Sequence, residues 1–189
     1  MANQMRHLWP REYLRSFQRK PSFRFAALTW GSRGDVQPFV SLGAELVRRG
    51  HGVVLAARAP FRAFVEEHGL GFFELEEDGT EELMHTLARS DGGPAGVKLF
   101  VAWQRRLIPA QFRQFQAASE GADVLLSNAA FTAPTVPIAE HRGILLFHAF
   151  FDPGFIPTRR YGLFDNRLQD RGAFLNLASA RLKNLAIGL

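Results

Sequence analysis

The stretch Phe23-Arg24-Phe25-Ala26-Ala27-Leu28-Thr29-Trp30-Gly31-Ser32-Arg33-Gly34-Asp35-Val36-Gln37-Pro38-Phe39-Val40 is the most informative in the chain. Its first seven residues read as a buried strand, which Gly31 and Gly34 end. Pro38 suits the first turn of a helix. Phe39, Leu42, Gly43, Leu46 and Val47 then recur at helical spacing until Arg48, Arg49 and Gly50 stop it. Residues 51–57, containing Val53-Val54-Leu55, form a second strand. Strand, helix and strand with short connections make a right-handed parallel unit, the opening of a Rossmann-like, doubly wound α/β sheet.

Outward from this unit the alternation continues, with a helix over 60–68, a strand over 71–75 and a weak helix over 81–89. Asp91-Gly92-Gly93-Pro94 reads as a loop. Residues 97–118 read as helix with a break or kink expected at Pro109, and Phe100, Val101, Leu107, Ile108, Phe112 and Phe115 face the core or a cleft. A strand over 122–127, a helix over 133–141 and a strand over 144–150 follow; residues 151–165 are irregular and 173–187 helical. The expected organisation is a basic extension over 1–22 and one domain over 23–189. An open parallel sheet binds its ligands at the carboxyl ends of its strands, so the candidate loops are 30–37, 128–132 and 150–160.

The chain has 189 residues, 47% of them hydrophobic and 22% charged, which fits a globular domain with a sizeable core. It contains no cysteine. A disulfide framework, a thiolate metal site and a cysteine nucleophile are thereby excluded, and a cytoplasmic or membrane-peripheral setting is expected. The net charge of +5 suggests nucleic acid, but its distribution does not. Residues 1–22 carry five Lys/Arg against one acid and residues 159–189 six against two, whereas residues 23–158 hold 12 against 15. No run approaches the roughly 20 apolar residues that span a bilayer. Residues 1–21 lack the apolar core of a signal peptide. Their Leu8, Trp9, Tyr13, Leu14 and Phe17 interleave with Arg6, Arg11, Arg15 and Arg19, which suits a short helix resting on anionic lipid, or an extension packed on the domain or left free.

In the turn over 30–38, small residues allow close backbone approach and leave amides free to meet an oxyanion. No Gly-Lys-Ser/Thr follows, so it is not the common NTPase loop. The G-x-G-x-x-G spacing is absent, and Arg58 stands where a ribose-binding acid would complete a dinucleotide site, so an oxidoreductase reading fails. His141 and His148 are either acid–base groups or structural. No His or carboxylate pair has a metal-ligand spacing.

The run Gly31-Ser32-Arg33-Gly34-Asp35-Val36-Gln37-Pro38-Phe39-Val40, with Leu42-Gly43, Leu46, Arg49-Gly50-His51 and Val53, resembles the N-terminal domain of sterol and antibiotic-aglycone glycosyltransferases of the two-domain GT-B type, the family 28 N-terminal type. Ala122-Asp123-Val124-Leu125-Leu126-Ser127-Asn128 is similar to that family's fourth strand, and Ile156-Pro157-Thr158-Arg159 to the stretch after its next strand. Asn166-Arg167-Leu168 and the closing helix resemble its approach to the interdomain linker.

The resemblance implies an inverting transfer of a hexose from a nucleotide sugar, UDP- or dTDP-linked, to a hydroxyl of a lipid, sterol or polyketide-like acceptor. Asp35 matches the general base of that reaction; capping of the following helix is the alternative role. Arg33 and the helix N-terminus favour its ionised form. The substrate-binding set expected is Gly31, Ser32, Arg33, Gly34, Asn128, Phe131, Phe150 and Thr158, with Trp103, Phe147, Phe151 and Phe155 as further aromatic residues near the cleft loops or in the core. A tightly held metal is not implied. The donor domain of the family has no counterpart in the 189 residues, so this chain is expected to bind no cofactor and to be inactive alone. Its partners would be a donor domain or donor subunit and a hydrophobic acceptor, with possible contact to a membrane and none to nucleic acid. A non-catalytic lipid- or aglycone-binding module, or a degenerate remnant, is the alternative from a different class.

Overall fold

The computed structural model describes residues 20–76, 85–86, 94–128, 132–151, 172, 174–178 and 181. Five strands form one wholly parallel sheet: β1 (Arg24–Leu28), β2 (Gly52–Arg58), β3 (Gly71–Leu75), β4 (Val124–Asn128) and β5 (Leu145–Ala149), in the order β3-β2-β1-β4-β5. Leu28 lies opposite Ala56 on one side and Ser127 on the other, and Asn128 lies opposite Ala149. The chain winds outward from β1 in one direction to β3, then crosses back to β4 and β5. The boundary between β1 and β4 is therefore the switch point, where the carboxyl ends of an open sheet leave a crevice.

The helices that pack on or beside this sheet among the described residues include α1 (Arg33–Arg48), α2 (Arg62–Glu66, after a 3-10 turn at Ala59–Phe61), α3 (Pro94–Ala118) and α4 (Thr132–Arg142). Alternate strand residues feed two cores on opposite faces of the sheet. Ala27, Leu55, Val124 and Leu126 meet Val36, Phe39 and Val40 of α1 and Val65 of α2. On the other face, Ala26, Leu28, Ala56 and Leu125 meet Phe115 of α3 and Ile138 of α4, and Trp30 stacks edge-on against Phe115 at 5.8 Å. Each large apolar side chain removed from water here stabilises the fold by about 1.5–3 kcal/mol. Gly43 lets α1 approach closely, since a Cβ there would collide with Leu70 and stand 3.2 Å from Val53.

The parallel sheet and the order of elements agree with the sequence, and several boundaries differ. α1 starts five residues before Pro38, because Ser32 is its N-cap and Asp35, three residues on, returns to the Ser32 backbone. Most of the turn over 30–37 is thus the first helical turns. The earlier start also sets the buried face on Val36, Phe39, Val40 and Gly43, leaving Leu42 exposed. α3 runs through Pro109 as one helix. Pro109 is exposed, and the carbonyl it leaves unbonded belongs to exposed Arg105, where water can satisfy it. Asn128 ends β4 rather than opening a loop. The expected extension over 1–22 meets the domain at its end: Lys20 pairs with Asp123 at 2.6 Å, and the Ser22 hydroxyl donates to the Gly50 carbonyl. Burial raises the Asp123 pKa, but Lys20 and the Arg24 N–H outweigh it and hold the carboxyl below its ordinary value. Among the described residues no helix is long and apolar enough to cross a membrane. The weak helix over 81–89, the irregular 151–165 and the closing helix lie largely outside the described residues.

Candidate functional site

At the switch point the backbone leaves β1 through Thr29 and Trp30, both buried, and turns at Gly31 into α1. Gly31 has φ +142°, and a Cβ on it would run into the Asp35 carboxylate. Only glycine meets both conditions. The Arg58 guanidinium, at the end of β2, donates to the Gly31 carbonyl at 3.2 Å and so braces the turn. Arg58 was visible in the sequence as the missing ribose-binding acid; its neighbourhood to the β1 terminus, set by the β1–β2 register, is what gives it this task.

Asp35 sits half-buried in the first turn of α1. Its Oδ2 accepts the Ser32 backbone N–H at 2.9 Å and the Ser32 hydroxyl at 3.1 Å. Its Oδ1 accepts Nδ2 of Asn128 at 2.9 Å, across the gap between the β1 and β4 ends. Asp35 thus caps the helix with one oxygen while the other turns into the crevice, so the two roles expected of it are compatible. The helix N-terminus favours negative charge at this place. Arg33 contributes less than its sequence position suggests: its Nε donates to Gln37 at 3.1 Å, and its guanidinium lies 5.0 Å over the Phe64 ring. Among the described residues Asp35 has no ion-pair partner. Gly34 is exposed, and among the described residues beyond its chain neighbours a Cβ there would come nearest the Ser32 hydroxyl, at 3.5 Å.

Asn128 is buried and lies on the rung beside Ala149 of β5. Phe150 and Phe151 follow that rung and are exposed, Phe151 resting edge-on against Phe39 of α1 at 5.0 Å. Exposed aromatic surface therefore adjoins the carboxylate. Phe147 is exposed on β5, and Trp103 is partly buried on α3. Phe131, Phe155 and Thr158 lie outside the described residues. Of the expected set, the structure brings Gly31, Ser32, Gly34, Asp35 and Asn128 together, sets Phe150 beyond the neighbouring strand end, and turns Arg33 toward α2.

His148 shares a rung with Ser127 and so faces α3 and α4, on the side of the sheet away from Asn128. Its ring nitrogens are buried without hydrogen-bond partners, and burial lowers its pKa, which keeps it neutral. His141 is exposed in the last turn of α4, at the other end of the strands. Neither joins Asp35. Among the described residues no group of three or more His, Asp or Glu is placed to hold a metal ion.

The glycosyltransferase family 28 N-terminal domain matches residues 25–158. The sterol 3-beta-glucosyltransferase of Candida albicans is 33% identical over 144 residues, which cover 74% of this chain and 9% of that protein. The Arabidopsis thaliana sterol 3-beta-glucosyltransferase UGT80B1 is 34% identical over 156 residues, 77% of this chain and 25% of that protein. The chain thus spans a quarter or less of these relatives. Among solved structures, the calicheamicin glycosyltransferase CalG4 superposes with a TM-score of 0.58 at 17% identity, over 77% of this chain and 36% of that one. The Streptomyces sp. SF2575 glycosyltransferase SsfS6, complexed with thymidine diphosphate, gives 0.53 at 20% identity, over 68% and 38%. At such identities the likeness is one of fold, that of the Rossmann-like N-terminal half of a GT-B enzyme. Sequence and architecture agree: the chain belongs to the glycosyltransferase family 28 N-terminal domain family.

Proposed function

We propose that residues 23–189 are the acceptor-holding half of an inverting glycosyltransferase, which passes a hexose from a nucleotide sugar to a hydroxyl of a sterol or similarly flat, apolar acceptor. Asp35 is the general base. The observation that carries this reading is the Asp35 carboxylate at the switch point, with one oxygen engaged in the helix cap and the other turned into the crevice. Exposed Phe150 and Phe151 offer the apolar side on which such an acceptor rests. The names of the sterol glucosyltransferase relatives support the acceptor and sugar class, and the thymidine diphosphate held by SsfS6 supports a nucleotide-sugar donor.

In the transfer, the acceptor oxygen bonds to the anomeric carbon, its proton goes to Asp35, and the bond from that carbon to the nucleotide diphosphate breaks, its electron pair leaving with the diphosphate. An ionised carboxylate is a weak base, so proton transfer is late and coupled to departure of the nucleotide, and much of the acceleration comes from positioning. Gly31 lets the turn close on Asp35, Ser32 fixes the carboxylate, and Gly34 is exposed next to it in the chain with room for a Cβ. The nucleotide sugar is held by a second domain or subunit, and this chain alone does not turn over. In the assembled enzyme, Asp35→Asn should lower kcat by roughly 10²–10⁴-fold with acceptor KM little changed; undiminished turnover removes the base assignment.

A further inference from the structure

An ionised carboxylate offers about four acceptor sites, two on each oxygen. In Asp35 the two on Oδ2 are taken by the backbone N–H and hydroxyl of Ser32. Among the described residues Oδ1 accepts a single hydrogen bond, from Nδ2 of Asn128. Against the described residues one site on the carboxylate therefore remains for a substrate proton, and it is on Oδ1. We infer that Oδ1 is the oxygen that receives the acceptor proton and that Asn128 is the positioning residue that aims it, an inference that rests on the reading of Asp35 as base.

The geometry explains why a second element is needed. The terminal torsion of an Asp side chain is broad, and both Ser32 donors come from one residue at the start of the same helix, so alone they leave the carboxylate free to swing about Oδ2. Asn128 grips the opposite oxygen from β4. It is 7% exposed, and its strand is hydrogen-bonded to β1 on one side and β5 on the other, which fixes its side chain relative to the turn. Its amide has one workable orientation toward a carboxylate, nitrogen first, because its own carbonyl would repel the charge.

The test compares Asp35→Asn, Asn128→Ala and Asn128→Asp in the enzyme assembled from this chain and a donor-binding half. Asn128→Asp keeps the shape of the side chain but has no donor when ionised. Both Asn128 variants should lose roughly 10²-fold in kcat, the scale of a catalytic group misplaced by about 1 Å, with acceptor KM changed less than about two-fold. The kcat of Asn128→Asp relative to the parent should recover as pH is lowered, because a proton shared by the two carboxyls restores a donor. Parental kcat in Asn128→Asp overturns the positioning role even if Asp35→Asn is dead; parental kcat in Asp35→Asn overturns the base reading itself. A readout independent of turnover uses the 189-residue chain: Asp35→Ala should move the side-chain amide resonances of Asn128 in a nitrogen–proton correlation spectrum, and unmoved resonances overturn the contact.

Discussion

Two glycines in the first turn of the site have different reasons for being there, and the difference is measurable. Gly31 is required by the fold: with φ +142° and the Asp35 carboxylate where its Cβ would be, Gly31→Ala should destabilise the chain by about 1–3 kcal/mol in urea unfolding. Gly34 is not. It lies in a helix with only an ordinary contact facing a Cβ, so Gly34→Ala should leave stability unchanged or raised by a few tenths of a kcal/mol. If the space in front of Gly34 belongs to the acceptor, the same substitution should raise acceptor KM several-fold in the assembled enzyme, and an unchanged KM would take Gly34 out of the binding surface. At this scale Asp35 was singled out in the sequence by the resemblance of its loop to the family's. The grip of Asn128 on it was not, because the two residues are 93 positions apart and meet only once strand order is known.

At the scale of elements, α1 shows where periodicity and capping compete. Reading Pro38 as a first-turn residue hides the stronger signal, Ser32 followed three residues later by Asp35, which starts the helix earlier and rotates its buried face. Proline is tolerated there because the carbonyl it would have bonded belongs to exposed Gly34. Gly43 in the same helix serves close packing: Gly43→Val should cost about 1–3 kcal/mol in urea unfolding, since Leu70 and Val53 already fill the space. A variant of parental stability would mean that α1 can lift from the sheet without penalty. The strands were the most legible elements, because a fully parallel sheet covered on both faces yields short continuous apolar runs such as Val124-Leu125-Leu126.

For the whole molecule, the two faces of the sheet differ, with the Asp35–Asn128 hydrogen bond on the α1 side and a neutral histidine with buried ring nitrogens on the other. Burial disfavours the charged form of His148, so its folded-state pKa lies below the ordinary value of 6.5. The unfolded chain then binds the proton first. Stability is fully present above about pH 6.5 and falls as pH drops below it toward the lowered folded value. The thermal midpoint should therefore fall between pH 7.5 and pH 5.5, by about the same in the parent as in surface variants and by less in His148→Gln; an equal fall in that variant removes His148 as a source. The proposed division of labour between this domain and a donor-binding half can be tested by the same melts. A soluble sterol should raise the midpoint of this chain whereas a nucleotide sugar should not, and a shift with the nucleotide alone would reverse the assignment of halves.

The hydrogen bond between Asp35 and Asn128 also sets an order of assembly. As the chain grows from its N-terminus, β1, α1 and β2 can pack as a unit in which Asp35 is already tied to Ser32, yet its second oxygen has nothing to meet until β4 docks. The crossover through α3 must close a long loop before that happens, and such long-range pairings form late. If Asp35 is the base proposed above, its carboxylate is left unaimed through most of folding and becomes competent in the same step that completes the centre of the sheet, so a partly folded chain has no aligned base to misuse.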